Sequence, residues 1–204
     1  MSQENEDTLN AYEIASDKYL ATVRHQPAKN IQVWLLKAIE KLSKNASIFE
    51  VGSAGGIEAN YLETMGFKVQ RSDAARSFVQ YLQSTGLSCI LFNALTDDYP
   101  AKYDLIFANA VLLHFTDSEA LDFASKSFHS LNPGGKLALT TKKGLRDSWQ
   151  TKKLDLPRYE NYWSRTGIEQ LMTNAGFVID DLVEAKSERQ DATWLYIICH
   201  KPSN

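Results

Sequence analysis

The stretch Phe49-Glu50-Val51-Gly52-Ser53-Ala54-Gly55-Gly56-Ile57 sets an apolar, strand-like run directly against a cluster of small residues. Ala46 to Val51 reads as a short buried strand, and the glycines that follow let the chain turn sharply and let a ligand approach the backbone. A helix runs from the turn to Met65, where Gly66 stops it. Asp73, beyond the next strand, supplies a carboxylate able to accept both hydroxyls of a ribose. An adenosine-type ligand is the shared implication, and three cofactor classes satisfy it.

The composition of the turn separates those classes. A dinucleotide fingerprint wants glycine at its first, third and sixth positions. Those positions hold Gly52, Ala54 and Ile57. Ala54 obstructs a pyrophosphate, and Ile57 crowds the approach of helix to strand. A phosphate-binding loop needs Gly-Lys-Ser/Thr, and no lysine stands here. Glu50, two residues before the turn, opposes an anionic pyrophosphate and suits an ammonium or sulfonium charge.

Outward from this point, short β-branched runs alternate with helical patterns. Phe67–Arg71, Ser88–Phe92, Tyr103–Ala108 and Lys136–Thr141 read as further strands. Between them lie a helix opened by Ser72-Asp73 and stopped by Gly86, a helix starting near Asp117, and the turn Asn132-Pro133-Gly134-Gly135. Such alternation implies an α/β fold, a Rossmann-like, doubly wound and mostly parallel sheet with helices on both faces. The last two runs, Phe177–Val183 and Thr193–Cys199, are joined by a polar loop alone, which predicts an antiparallel C-terminal hairpin completing seven strands. Upstream, Thr8–Arg24 and Asn30–Lys44 read as N-terminal cap helices, the second with an apolar face through Ile31, Trp34, Leu35, Ala38, Ile39 and Leu42. They either form a lid over the carboxyl ends of the strands or cover a sheet face. Residues 1–44 are expected to be these cap helices and 45–204 the ligand-binding unit, all within one domain.

With 204 residues the chain suits one substantial core. A formal net charge of −3 lacks the basic excess that nucleic-acid phosphates require, so no nucleic-acid partner is expected. No apolar run approaches the length needed to span a bilayer, and the acidic start is unlike a secretory signal; no membrane partner and a cytoplasmic location are expected. Cys89 and Cys199 sit in apolar runs as free thiols, and His25, His114, His129 and His200 show no metal-ligand spacing, so no metal is assigned.

The first segment resembles the opening motif of class I S-adenosylmethionine-dependent methyltransferases, an acidic residue before a Gly-x-Gly-x-Gly turn. Glu50, Gly52, Ala54 and Gly56 occupy that motif, with alanine in place of the middle glycine. Asp73 matches the family's ribose-holding residue, and Phe92-Asn93-Ala94 the stretch that meets the adenine amino group, where an amide oxygen replaces the usual carboxylate. The likeness continues through Tyr103–Phe115 and Leu131–Lys136, which are typical of the small-molecule branch, and narrows to a bacterial subgroup in Tyr19-x-x-x-x-Arg24, Lys142-Lys143-Gly144-Leu145-Arg146 and Arg158–Trp163.

The resemblance implies S-adenosylmethionine as cofactor, S-adenosylhomocysteine as product and a small-molecule acceptor. The methyl would go to oxygen, nitrogen, sulfur or a chalcogen oxyanion. Cofactor contacts are expected at Tyr19, Arg24, Glu50, Gly52, Ser53, Ala54, Gly56, Asp73, Ala74, Asn93, Ala94, Asn109 and Ala110. Acceptor contacts are expected at His25, His114, Lys142, Arg146, Arg158, Tyr159, Tyr162 and Trp163. His114 is the candidate acid–base group, because imidazole titrates near neutrality. The alternative reading is a packed histidine at a helix start, since methyl transfer needs little beyond alignment. A non-catalytic binding module, a macromolecule methyltransferase and a nicotinamide oxidoreductase stand as alternatives.

Overall fold

The computed structural model describes residues 1–188 and 191–203. Strands β1 (Ile48–Val51), β2 (Val69–Asp73), β3 (Cys89–Leu91), β4 (Tyr103–Asn109), β5 (Leu131–Lys142), β8 (Val178–Lys186) and β9 (Thr193–His200) form one sheet in the order β3-β2-β1-β4-β5-β9-β8. The first five are mutually parallel, whereas β9 runs antiparallel to both β5 and β8. The expected seven-stranded, Rossmann-like arrangement with its terminal hairpin is therefore present.

Side-chain parity builds the two faces. Phe49, Ile106, Ala108, Leu137, Leu139 and Ile197 point into one core, closed by α6 (Asp117–Ser130) and α7 (Arg165–Asn174). Ile48, Leu105, Phe107, Ala138 and Ile198 point into the other, with α3 (Lys29–Ala38) and α4 (Ile57–Glu63). Burial on both faces explains why the central strands read as continuous apolar runs. Helix α5 (Arg76–Ser84) packs Val79 and Leu82 against Cys89 at the β3 edge.

Several boundaries differ from the sequence reading. The expected helix over Thr8–Arg24 is two, α1 (Gln3–Ile14) and α2 (Ser16–Leu20), because Ala15 leaves the helical region at φ −107°. Ser2 starts α1 early by accepting the Asn5 amide on its hydroxyl. The helix over Asn30–Lys44 stops at Ala38, beyond which Lys41 adopts φ +68°. Trp34 donates its indole N–H to the Ile197 carbonyl at 3.1 Å, so α3 is the sheet-covering helix rather than the lid. Asp73 closes β2 opposite Leu91 instead of opening α5. The Asn132–Gly135 turn is held inside β5, where the pairing with β4 shifts register. A small antiparallel sheet of β6 (Ser148–Gln150) and β7 (Arg158–Glu160) was not anticipated. No helix among the described residues is long and apolar enough to cross a membrane.

Candidate functional site

A cavity of about 850 Å³ opens at the carboxyl ends of the parallel strands. That is the location and the size expected of a ligand site in an open α/β sheet. Sheet order divides its wall. The ends of β1, β2 and β3 lie on one side, the ends of β5 and β9 on the other, and the tip of β4 stands between them.

On the first side, the glycine loop is fastened from behind. Glu50, 2% exposed, accepts the Ser53 hydroxyl at 2.5 Å, and the Ser53 amide donates to the Ser72 carbonyl at 2.8 Å. Burial, reinforced by the nearby Glu58 charge, pushes the Glu50 carboxyl up to about 8. Gly52 takes φ +74°, and a Cβ there would lie 2.5 Å from a Val111 methyl. Glycine is therefore required both for the turn and for the approach of loop to β4 tip. Ala54, at φ +43°, adopts the same left-handed region despite its methyl, while its amide donates to Asp73 Oδ2 at 2.8 Å. Asp73 Oδ1 accepts the Ala75 amide at 2.9 Å. Two backbone donors hold this carboxylate at the cavity wall, although burial still raises its pKa to about 6.

At the β4 tip, Thr140 donates to Asn109 Oδ1 at 2.6 Å and accepts the Ala110 amide at 2.9 Å, while Asn109 Nδ2 donates to Glu58. This bracing fixes Ala110 at φ +58°. Asn93 spends its amide oxygen on the Leu95 amide at 3.0 Å, and its amide N–H meets Met1 Sδ.

Helices α1 and α2 roof the cavity with Asn5, Thr8, Leu9, Tyr12 and Tyr19. The roof is tied down at both ends. Glu13 accepts the Arg76 and Ser77 amides, Asn5 donates to the His114 carbonyl, and Thr8 accepts the Tyr159 amide at 2.9 Å. Beneath it, His114 is 8% exposed. Its Nδ1 lies 2.7 Å from the Tyr159 carbonyl, which can only accept, so Nδ1 carries the proton. Nε2 then accepts the Tyr12 hydroxyl at 3.0 Å, and Arg158 Nη1 donates to the same hydroxyl at 3.0 Å. Burial, with a smaller push from Arg158, lowers the His114 pKa to about 4 and keeps the ring neutral at ordinary pH.

The far wall carries the charges. Lys142 Nζ binds Glu160 Oε2 at 2.6 Å, and Arg158 Nη1 lies 3.5 Å from Glu160 Oε1. Tyr162 donates its hydroxyl to Glu160 from behind at 3.1 Å.

Of the expected site residues, Tyr19, Arg24, Gly52, Ser53, Ala54, Asp73, Ala74, Asn93, Ala94, Asn109 and Ala110 line the cavity, as do His114, Lys142 and Arg158. Glu50 and Gly56 do not; they support the loop, and a Cβ on Gly56 would meet Leu82 at 2.8 Å. Exposed His25 is also outside the lining. Arg146, Tyr159, Tyr162 and Trp163 border a separate depression near Thr116 and Asp117. The fold does not bring these four side chains into the cavity, because β7 faces it with Arg158 and Glu160 and turns Tyr159 the other way. Tyr12, Thr8 and Asn5 were missed as site residues. Their i, i+4 and i, i+3 spacing marks one helix face, but that face is polar and gives no apolar stripe. Among the described residues, no group of three or more His, Cys, Asp or Glu side chains could hold a metal.

Comparison with known proteins places this architecture. No curated protein sequence matches the chain. The 1,6-didemethyltoxoflavin-N1-methyltransferase of Burkholderia thailandensis, solved with 1,6-didemethyltoxoflavin and S-adenosylhomocysteine, aligns with a TM-score of 0.76 at 14% identity, covering 99% of this chain and 92% of that one. The magnesium protoporphyrin IX methyltransferase of Synechocystis PCC 6803, solved with S-adenosylhomocysteine, aligns at 0.77 and 13% identity over 98% and 100%. The [4+2]-cyclase SpnF aligns at 0.72 and 15% identity over 98% and 97%. At such identities the likeness is one of fold, and the cyclase shows that the fold alone does not dictate the reaction. The sequence itself is more specific: the family described as "Methyltransferase domain" matches residues 19–182, most of the chain, and the protein belongs to that family.

Proposed function

We propose that the protein transfers a methyl group from S-adenosylmethionine to a small-molecule acceptor. The observation that carries this reading is the Asp73 carboxylate, held at the cavity wall by the Ala54 and Ala75 amides, directly beside the glycine loop. The donor set fits the cofactor. Asp73 can accept ribose hydroxyls, Phe78 and Tyr19 offer apolar ring surface, and Glu58 and Asp73 make this side acidic, which favours a sulfonium and disfavours a pyrophosphate.

When bound, S-adenosylmethionine supplies a methyl group on positively charged sulfur and leaves as S-adenosylhomocysteine. The chain's own task is alignment and exclusion of water. The glycine loop and the braced Asn109-Ala110 tip fix one partner, and the roof of α1 and α2 covers both. His114 serves this alignment rather than acting as a base. Its Nε2 is already covered by the Tyr12 hydroxyl, and burial disfavours the imidazolium that proton abstraction would create. His114 and Arg158 together fix the Tyr12 hydroxyl at the cavity surface. An acceptor proton then leaves to solvent or to a group on the acceptor itself.

The test is incubation of the protein with S-adenosylmethionine labelled in its methyl group and a small-molecule fraction of a bacterial extract. Label in a small organic product supports the proposal. Label in protein or nucleic acid instead would favour a macromolecular acceptor. Saturable S-adenosylhomocysteine binding with no transfer to any fraction would favour a binding module without turnover.

A further inference from the structure

We infer that the acceptor carries a carboxylate or related oxyanion, seated against Arg158 and Lys142 on the far wall of the cavity. This names a substrate class for the proposed methyl transfer and rests on it. The charge arrangement of β7 and the end of β5 carries the inference. Arg158 and Glu160 are 5% and 2% exposed, and Lys142 reaches Glu160 from β5 with its side chain 16% exposed. One buried and one half-buried cation thus share one buried carboxylate. A group of like charge left in excess inside a protein is costly unless something completes the pairing.

Glu160 has little left to give. Oε2 takes both Lys142 and the Tyr162 hydroxyl, and Oε1 stands 3.5 Å from Arg158, beyond an ordinary charge-assisted hydrogen bond. Among the described residues Arg158 Nε is buried with no hydrogen-bond partner, and Arg158 lines the cavity. Lys152 lines the same cavity and adds to its positive field. The opposite wall carries Asp73 and Glu58. An anionic acceptor is therefore drawn to the Arg158 end and repelled from the Asp73 end, while a sulfonium is drawn the other way. The polarity of the cavity orients the two reactants head to tail across the β4 tip.

Calorimetric titration tests this with benzoate, phenyl phosphate and neutral benzamide as probes, added to protein with and without saturating S-adenosylhomocysteine. Saturable binding of benzoate or phenyl phosphate, weakening with added salt and at least about tenfold tighter than benzamide, is the expected result. Which anion wins distinguishes a carboxylate acceptor from a phosphorylated one. Lys142→Met removes one excess cation and should weaken the anion by about tenfold, whereas Glu160→Gln removes the internal competitor and should tighten it by several-fold, roughly. Both variants should bind S-adenosylhomocysteine as the parent does. Equal binding of benzoate and benzamide, or no anion binding by protein that does bind S-adenosylhomocysteine, would overturn the inference and leave methyl transfer standing. Failure to bind S-adenosylhomocysteine would instead remove the methyl-transfer reading, and the substrate class with it.

Discussion

Glu50 and Glu160 are buried to the same 2% exposure on opposite sides of one cavity, yet they are held in opposite ways. Glu50 has a serine hydroxyl and, among the described residues, no cation within hydrogen-bond reach, and burial pushes its carboxyl up to about 8. Glu160 lies between Lys142 and Arg158. The glycine-loop side is built by backbone geometry and by hydrogen bonds without ion pairs, among residues close in sequence, from Glu50 to Ala75. The far side is built by charge pairing between Lys142 of β5 and Arg158 and Glu160 of β7, with Tyr12 of α1, 146 positions from Arg158, accepting from its guanidinium. The first design presents a backbone surface to a ligand; the second presents charge.

The sharpest way to break this contrast is to neutralise Glu50. Between pH 4.5 and about 8 the folded chain keeps a proton on Glu50 that the unfolded chain has released. Glu50 therefore costs stability progressively as pH rises through that window, with a constant penalty above it. Glu50→Gln should remove this dependence, gaining about a few kcal/mol over the parent between pH 4.5 and roughly 9 in denaturant titrations. A constant difference across pH would show that Glu50 is ionised and paired after all.

Asp73→Ala comes next. Loss of a charge-assisted hydrogen bond should weaken S-adenosylhomocysteine binding by about 1–3 kcal/mol in calorimetry. Gly52→Ala should destabilise the fold by roughly 1–2 kcal/mol, because the position combines φ +74° with contact to Val111. Val111→Ala in the same chain should recover the steric part and not the backbone part. On the other side, Tyr12→Phe strips His114 Nε2 and Arg158 of a shared partner. A loss of about 1 kcal/mol in unfolding free energy is expected, with cofactor affinity unchanged. The smallest effect belongs to exposed His25, where His25→Ala should alter stability by no more than about 0.5 kcal/mol and leave ligand binding intact.

The same contrast explains what could be read from the sequence. The succession of strands and helices, the hairpin and the loop residues Gly52, Ala54 and Asp73 were legible because their signals are local: small residues at a turn, and β-branched runs at crossover spacing. Glu50 stood out for its position, but only the fold shows that it faces the loop's rear rather than the cavity. The far side was harder. Arg158 was singled out correctly as a cavity residue, but its neighbours Tyr159, Tyr162 and Trp163 were expected beside the acceptor with it, because the alternation of β7 was not foreseen. Tyr12 reaches the site from α1, whose cavity-lining residues Asn5, Thr8 and Tyr12 carry polar groups and so escape a search for apolar periodicity.

The central claim is that the Asp73 side of the cavity holds S-adenosylmethionine. Titrating S-adenosylhomocysteine into the parent protein and into Asp73→Ala, each first shown to be folded, tests it directly. Saturable binding by the parent that weakens by about 1–3 kcal/mol in the variant is the predicted result. Equal affinity in both, or no binding by the folded parent, would contradict it.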